Sequence, residues 1–118
     1  IVAIDARGFI FGSAISFQSL KPMLVARKPG KLPGDTIEQN YSLEYGNSSL
    51  SIQKIALNRY KSFAIVDDLL ATGGTVKCVS NLLKSQDKEI LGLLTVVELS
   101  ELNGRSKFDF PVESSISF

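Results

Sequence analysis

Two kinds of apolar patterning alternate along this chain. Ile1-Val2-Ala3-Ile4 and Phe63-Ala64-Ile65-Val66 are short unbroken apolar runs, as expected of strands buried on both faces of a parallel sheet. Pro22 to Ala26, Ile90 to Val97 and Ser114 to Phe118 read as further strands. Between them, Gly8 to Leu20 carries Phe9, Ile10, Ala14, Ile15 and Phe17 at helical spacing, and Gly74 to about Lys84 carries Val76, Val79, Leu82 and Leu83. Period-two alternation occurs in one region only. Tyr41, Leu43 and Tyr45 alternate with Ser42 and Glu44, and after Gly46-Asn47-Ser48 the alternation resumes at Leu50 and Ile52. This predicts a two-stranded hairpin. The stretch from Arg27 to Gln39 contains Pro29, Gly30, Pro33 and Gly34, which predicts a loop, and one so long in a compact domain is usually functional. Strands alternating with helices predict an α/β domain with a doubly wound parallel sheet and a projecting hairpin. At 118 residues the chain is expected to be a single domain with its own core.

The candidate chemistry sits where the second apolar run ends. Two carboxylates, Asp67 and Asp68, follow Val66, and Ala71-Thr72-Gly73-Gly74-Thr75 leads into the second helix. In an open parallel sheet, ligands bind beyond the carboxyl ends of the strands. A glycine-rich turn at a helix N-terminus offers free N–H groups and the positive end of the helix dipole to a phosphate. The carboxylates would repel a phosphate, so they suit a sugar diol or a hydrated Mg²⁺ beside it. A ribose 5-phosphate has both parts. The motif is neither a Walker A loop, since no lysine follows Gly74 at that spacing, nor Gly-x-Gly-x-x-Gly.

Composition narrows the chemistry further. The net charge of +1 gives no reason to expect a nucleic-acid partner, although Arg27, Lys28 and Lys31 cluster locally. No apolar run approaches the roughly 20 residues of a membrane span, so no membrane partner is expected. A single cysteine, Cys78, fits a reducing compartment and a cytoplasmic location. Its position among Val76, Val79, Leu82 and Leu83 predicts a core thiol rather than a nucleophile. The absence of histidine removes the commonest acid–base catalyst and metal ligand, and no residue is assigned to a metal.

Three segments carry a resemblance to a known family. Ile65 to Thr75 resembles the phosphoribosyl pyrophosphate (PRPP) signature of the type I phosphoribosyltransferases, and its Leu-Leu-Ala-Thr-Gly-Gly-Thr form resembles that of the adenine-using branch. Ala3-Ile4-Asp5-Ala6-Arg7-Gly8-Phe9-Ile10-Phe11-Gly12 is similar to the family's pyrophosphate loop. Arg27-Lys28-Pro29-Gly30-Lys31-Leu32-Pro33-Gly34, continuing to Tyr41-Ser42-Leu43-Glu44-Tyr45-Gly46, is similar to its catalytic loop. The likeness runs from the first residue to about Gly104.

The resemblance implies purine salvage: adenine and PRPP give AMP and pyrophosphate. It implies that Asp67, Asp68, Ala71, Thr72, Gly73, Gly74 and Thr75 hold the ribose 5-phosphate. Ala6, Arg7 and Gly8 would hold the pyrophosphate, with a non-proline cis peptide expected in that loop. Arg27, Lys28 and Lys31 would neutralise the departing group together with Mg²⁺ carried by PRPP, part of this basic loop acting across a homodimer interface. Glu44 would manage a proton on the purine and Tyr45 would cover ribose and base, although strand alternation also allows Glu44 to face solvent. The bare opening strand leads us to expect a preceding segment, which in the family includes a small hood over the base. The alternatives are the same chemistry on another purine, or a non-catalytic PRPP-binding regulator on the same fold.

Overall fold

The computed structural model describes residues 1–43 and 46–118. Five strands form one parallel sheet: β1 (Val2–Ile4), β2 (Leu24–Ala26), β5 (Ser62–Leu70), β6 (Glu89–Glu98) and β7 (Val112–Ser117), in the order β2-β1-β5-β6-β7. Helix α1 (Gly8–Ser19) joins β1 to β2 on one side, and α3 (Gly74–Ser85) joins β5 to β6 on the other. Because parallel crossovers are right-handed, oppositely directed connections put their helices on opposite faces. The sheet is therefore doubly wound, as its apolar runs predict. β1 and β5 are neighbours, with Val2 beside Ile65 and Ala3 beside Val66. Their outgoing loops diverge to opposite faces, so a crevice opens between their carboxyl ends.

The core follows from the sequence periods. β5 is central and buries Phe63, Ile65, Val66 and Leu70. α3 is amphipathic, burying Val76, Cys78, Val79, Leu82 and Leu83 while Asn81, Lys84 and Ser85 face water. The Cys78 thiol is a core group, as expected; burial pushes its pKa up to about 11.

α1 behaves differently. Its inward contacts are made by Gly8 and Gly12, whereas Ile10 and Phe17 are 65% and 85% exposed. Gly12 is required by close approach: a Cβ there would lie 2.6 Å from the Ala3 Cβ and 3.1 Å from the Met23 sulfur.

The predicted hairpin exists but is longer and differently placed. β3 (Thr36–Leu43) pairs antiparallel with β4 (Gly46–Gln53), Thr36 opposite Gln53 and Leu43 opposite Gly46. Thr36 to Gln39 are thus strand rather than loop, because Leu50 to Gln53 supply their ladder partners. Gly46, Asn47 and Ser48 belong to β4 rather than to the turn. Glu44 and Tyr45, the two residues expected to act on the base, lie outside the described residues. The hairpin's root joins the core: Leu50 and Ile52 are buried, and Arg27 and Ser51 exchange backbone hydrogen bonds of 3.0 and 2.7 Å beside β2. A short helix, α2 (Lys54–Asn58), and two 3₁₀ turns, Ser100–Leu102 and Gly104–Lys107, were not predicted. They are too short to carry a period. β5 runs on to Leu70 and so includes both carboxylates, because Leu69 and Leu70 pair with Val97 and Glu98 of β6.

The α1 geometry gives a stability prediction. Gly12→Ala should destabilise the fold by about 1–3 kcal/mol, the usual cost of overpacking a close contact, read from the urea midpoint at unchanged m-value. An unaltered midpoint would show that α1 can stand off β1 freely.

Candidate active site

The crevice at the β1/β5 edge is a cavity of about 300 Å³ with two walls. One is Asp5-Ala6-Arg7, which leaves β1 and enters α1. The other is the end of β5, Asp67 to Leu70, with the Ala71–Gly73 turn and the first residues of α3. The expected cis peptide is present, between Asp5 and Ala6.

The phosphate cradle is built from backbone. Gly73 caps α3 with φ +83°, a left-handed conformation that favours glycine, and no side chain caps the helix. The first helical bond runs from the Lys77 N–H to the Gly73 carbonyl at 2.9 Å. The N–H groups of Gly74, Thr75 and Val76 precede it and are the orphan donors of a helix start. They lie at the positive end of a 12-residue helix, a place suited to an anion.

The two glycines differ in why they are glycine. A Cβ on Gly73 would run into the turn beside it, 3.1 Å from the Gly104 carbonyl oxygen and 3.1 Å from the Phe108 ring. At Gly74 the Cβ direction is open, with Thr72 Oγ1 nearest at 3.9 Å. A wall of protein therefore stands behind the cradle, contributed by a turn that sequence reasoning did not connect with the site.

The two carboxylates occupy unlike environments. Asp67 is 9% exposed, and its Oδ1 accepts the Asp68 N–H at 2.9 Å. Burial raises its pKa to about 7, with the neighbouring Asp68 carboxylate adding to the rise and the Asp68 N–H opposing it. Asp68 is more open. Burial pushes its pKa up, but the Arg7 guanidinium, donating from Nε at 2.5 Å, outweighs this and holds it below the usual carboxylate range. Two adjacent acids are thus set apart by environment, one poised near neutrality and one firmly ionised. Arg7 is mostly exposed and bridges the two walls.

The basic loop lies alongside. Lys28 and Lys31 line a second cavity, of about 330 Å³, which shares Asp5 and Thr75 with the first. Tyr41 and Leu50 of the hairpin complete it. The structure thus brings together Ala6, Arg7, Lys28, Lys31, Asp67, Asp68 and the segment from Ala71 to Thr75. Arg27 and Gly8, the other two expected ligand residues, make contacts with neighbouring segments. Arg27 donates from Nε to Asp5 at 2.9 Å and from Nη1 to the Lys31 carbonyl at 3.3 Å, so it ties the basic loop to the pyrophosphate loop. Gly8 is buried under β5; a Cβ there would meet the Val66 carbonyl at 3.0 Å and Asp67 Oδ1 at 3.2 Å. Its lack of a side chain lets α1 approach the strand. Asp5 and Tyr41 were not singled out as ligand contacts; nothing in their local pattern marks them, since the fold alone brings them to this edge. Among the described residues, no group of three or more His, Cys, Asp or Glu side chains could hold a metal ion, and no helix is long and apolar enough to cross a membrane.

A parallel switch-point crevice holding a phosphate cradle, a carboxylate pair and an opposed arginine defines a phosphoribosyl-transfer site. The phosphoribosyl transferase domain family model matches residues 1–115, and the chain belongs to this family. Its relatives place it among the adenine phosphoribosyltransferases. The adenine phosphoribosyltransferase of Prochlorococcus marinus subsp. pastoris is 74% identical over 114 residues, covering 97% of this chain and 67% of the relative. The crystal structure of the enzyme from Thermoanaerobacter pseudethanolicus superposes with a TM-score of 0.92 at 40% identity, over 99% of this chain and 69% of that one. The Saccharomyces cerevisiae enzyme, in complex with an imino-altritol bisphosphate and adenine, superposes at 0.87 with 34% identity, over 97% and 65%.

The Asp67 environment fixes a pH dependence. A carboxyl raised to about 7 keeps its proton in the folded chain where the unfolded chain has lost it. Its contribution to stability therefore falls as pH climbs from about 4 to about 7, and is constant above. A sugar diol donates hydrogen bonds to the ionised form, so ribose 5-phosphate should bind with release of a proton from Asp67 near pH 6.5. Calorimetry in buffers of different ionisation enthalpy should detect that release, and Asp67→Asn should remove it. The same release in the variant would assign the proton elsewhere.

Proposed function

We propose that this chain transfers the phosphoribosyl group of PRPP to adenine, giving AMP and pyrophosphate. The observation that carries this reading is the single crevice in which the α3 cradle, Asp67 and Asp68 face Arg7. It matches a ribose 5-phosphate at one end and a pyrophosphate at the other. The Prochlorococcus and yeast relatives, both adenine phosphoribosyltransferases and the latter bound to adenine, support the choice of base. The same crevice would serve another purine or a PRPP-binding regulator, and the relatives weigh against both.

In the reaction a purine nitrogen forms a bond to the anomeric carbon as the bond from that carbon to the pyrophosphate oxygen breaks. Pyrophosphate leaves with the electron pair. Catalysis is then mainly positioning and stabilisation of charge. The cradle fixes the 5′-phosphate. Asp67 and Asp68 take the ribose hydroxyls, Asp67 at the buried end and Asp68 once Arg7 turns toward the leaving group. Arg7, Lys28 and Lys31 meet the developing negative charge, with Arg27 holding the basic loop in place through Asp5. Mg²⁺ arrives on the PRPP phosphates as part of the substrate. Two carboxylates alone do not make a six-oxygen cage, so substrate oxygens and water must supply the rest. Glu44 takes the purine proton and Tyr45 covers the base, an assignment supported by the Tyr-Ser-Leu-Glu-Tyr-Gly motif.

Residues 1–118 form one core domain in this reading, a cytoplasmic enzyme that works as a homodimer. The dimer is supported by α1, which carries Ile10 and Phe17, seven residues apart, on one exposed face and is followed by Leu20, 88% exposed. Large exposed apolar side chains along one helix face favour a contact surface there.

Adenine-dependent release of pyrophosphate from PRPP tests the function. Turnover with adenine well above that with hypoxanthine or guanine is expected, and PRPP binding without turnover of any purine would favour the regulator. Glu44→Gln should lower kcat by about 10²–10⁴-fold with a smaller change in KM; wild-type kcat under chemistry-limited conditions would remove Glu44 from the mechanism. Phe17→Glu should shift sedimentation from dimer to monomer if α1 forms the interface, and an unchanged dimer would place the contact elsewhere.

A further inference from the structure

The wall behind the phosphate cradle is a turn, and the turn is held by one ion pair. Glu98, the last residue of β6, is 4% exposed. Its carboxylate accepts Arg105 Nε at 2.7 Å, Arg105 Nη2, and Ser114 Oγ at 2.9 Å. Arg105 Nη1 donates to the Val112 carbonyl at 3.2 Å. One guanidinium thus joins the end of β6 to the start of β7 across the intervening turn.

Gly104 precedes Arg105 and presses on the cradle backbone to backbone. A Cβ on Gly104 would lie 2.3 Å from the Ala71 carbonyl oxygen and 3.2 Å from the Gly73 nitrogen. In return, the Cβ direction of Gly73 runs into the Gly104 carbonyl and Phe108. The Leu99 N–H is bonded to the Leu70 carbonyl at 2.9 Å, so the strand that carries Glu98 also holds the residue before the cradle. Neither Glu98 nor Arg105 lines the cavity.

Glu98 is buried but the Arg105 side chain is 48% exposed, so the pair is weak evidence of a stabilising purpose. What a bidentate guanidinium–carboxylate pair adds is fixed geometry. We infer that Arg105 is a positioning residue for phosphoribosyl transfer: locked to Glu98, it holds Gly104 against Ala71–Gly73 and so sets where the cradle N–H groups point. The inference rests on the reading of the cradle as the 5′-phosphate site. Lysine cannot replace arginine here, because an ammonium keeps the charge but loses the fork.

Wild-type AMP and pyrophosphate affinities, measured by calorimetry, come first. If wild type does not bind AMP, it is the phosphate-site reading that fails. Given AMP binding, Arg105→Lys should weaken AMP by about tenfold or more, since losing one hydrogen bond to a charged phosphate costs about that much. Pyrophosphate, which meets Arg7 and the basic loop, should stay within about twofold. A merely structural loss would lower both equally. Gly104→Ala keeps the ion pair but pushes the Ala71 carbonyl directly, and should reproduce the AMP-selective loss; it also serves if Arg105→Lys does not fold. AMP affinity within twofold of wild type in either folded variant, or equal losses of AMP and pyrophosphate, would overturn the inference.

Discussion

The parallel pairing of β1 with β5 is the contact on which the site depends. Val2 lies beside Ile65 and Ala3 beside Val66, all four fully or almost fully buried. One residue beyond this ladder β1 ends and the Asp5–Arg7 loop leaves it, while β5 presents Asp67 and Asp68. Because the crossovers from the two strands run in opposite directions, the loops separate and leave a crevice instead of packing on each other. Arg7 then spans the crevice to Asp68, and α3 starts on the far wall. A change of register by one residue would turn Asp67 and Asp68 to the opposite faces of the sheet and dismantle the site.

The electrostatics follow from how deeply each group sits in that crevice. Asp67 is enclosed by the sheet and by α1, which Gly8 allows to come within contact distance of its carboxylate. Its proton is held by burial. Asp68 stands one residue further out, where a guanidinium reaches it. The crevice therefore has one acid poised near neutrality by burial and one held ionised by a guanidinium, and neither environment needs a histidine.

Layers of support lie behind the residues that face the substrate. Arg27 joins Asp5 to the basic loop, Gly104 backs the cradle, and Arg105 fixes Gly104 through Glu98. Each acts on backbone geometry, consistent with a reaction governed by positioning. The hairpin is part of the same arrangement, since its root is bonded to Arg27 through Ser51 and its buried face packs with the core.

Local pattern alone determined the strands of the sheet, both long helices, the core thiol and the gathering of Asp67 to Thr75 at one sheet edge. These signals are carried by neighbouring residues: an apolar run, a 3.6-residue period, glycines at a helix start. The bounds of the hairpin were less legible, because Thr36 to Gln39 become strand only when Leu50 to Gln53 pair with them, and ladder partners are not encoded locally. The opposite environments of Asp67 and Asp68 could not be read either, since two identical side chains in sequence differ only in what surrounds them. The contacts of Arg27 and Gly8 were not legible for the same reason: what a basic residue and a glycine in a motif touch depends on neighbours, here Asp5 and the β5 backbone, that only the fold supplies. Residues Glu98, Gly104 and Arg105 lie some 30 positions after the cradle they support. Tertiary structure decided their part, because contacts between distant segments depend on how strands stack, and no period in the chain records that.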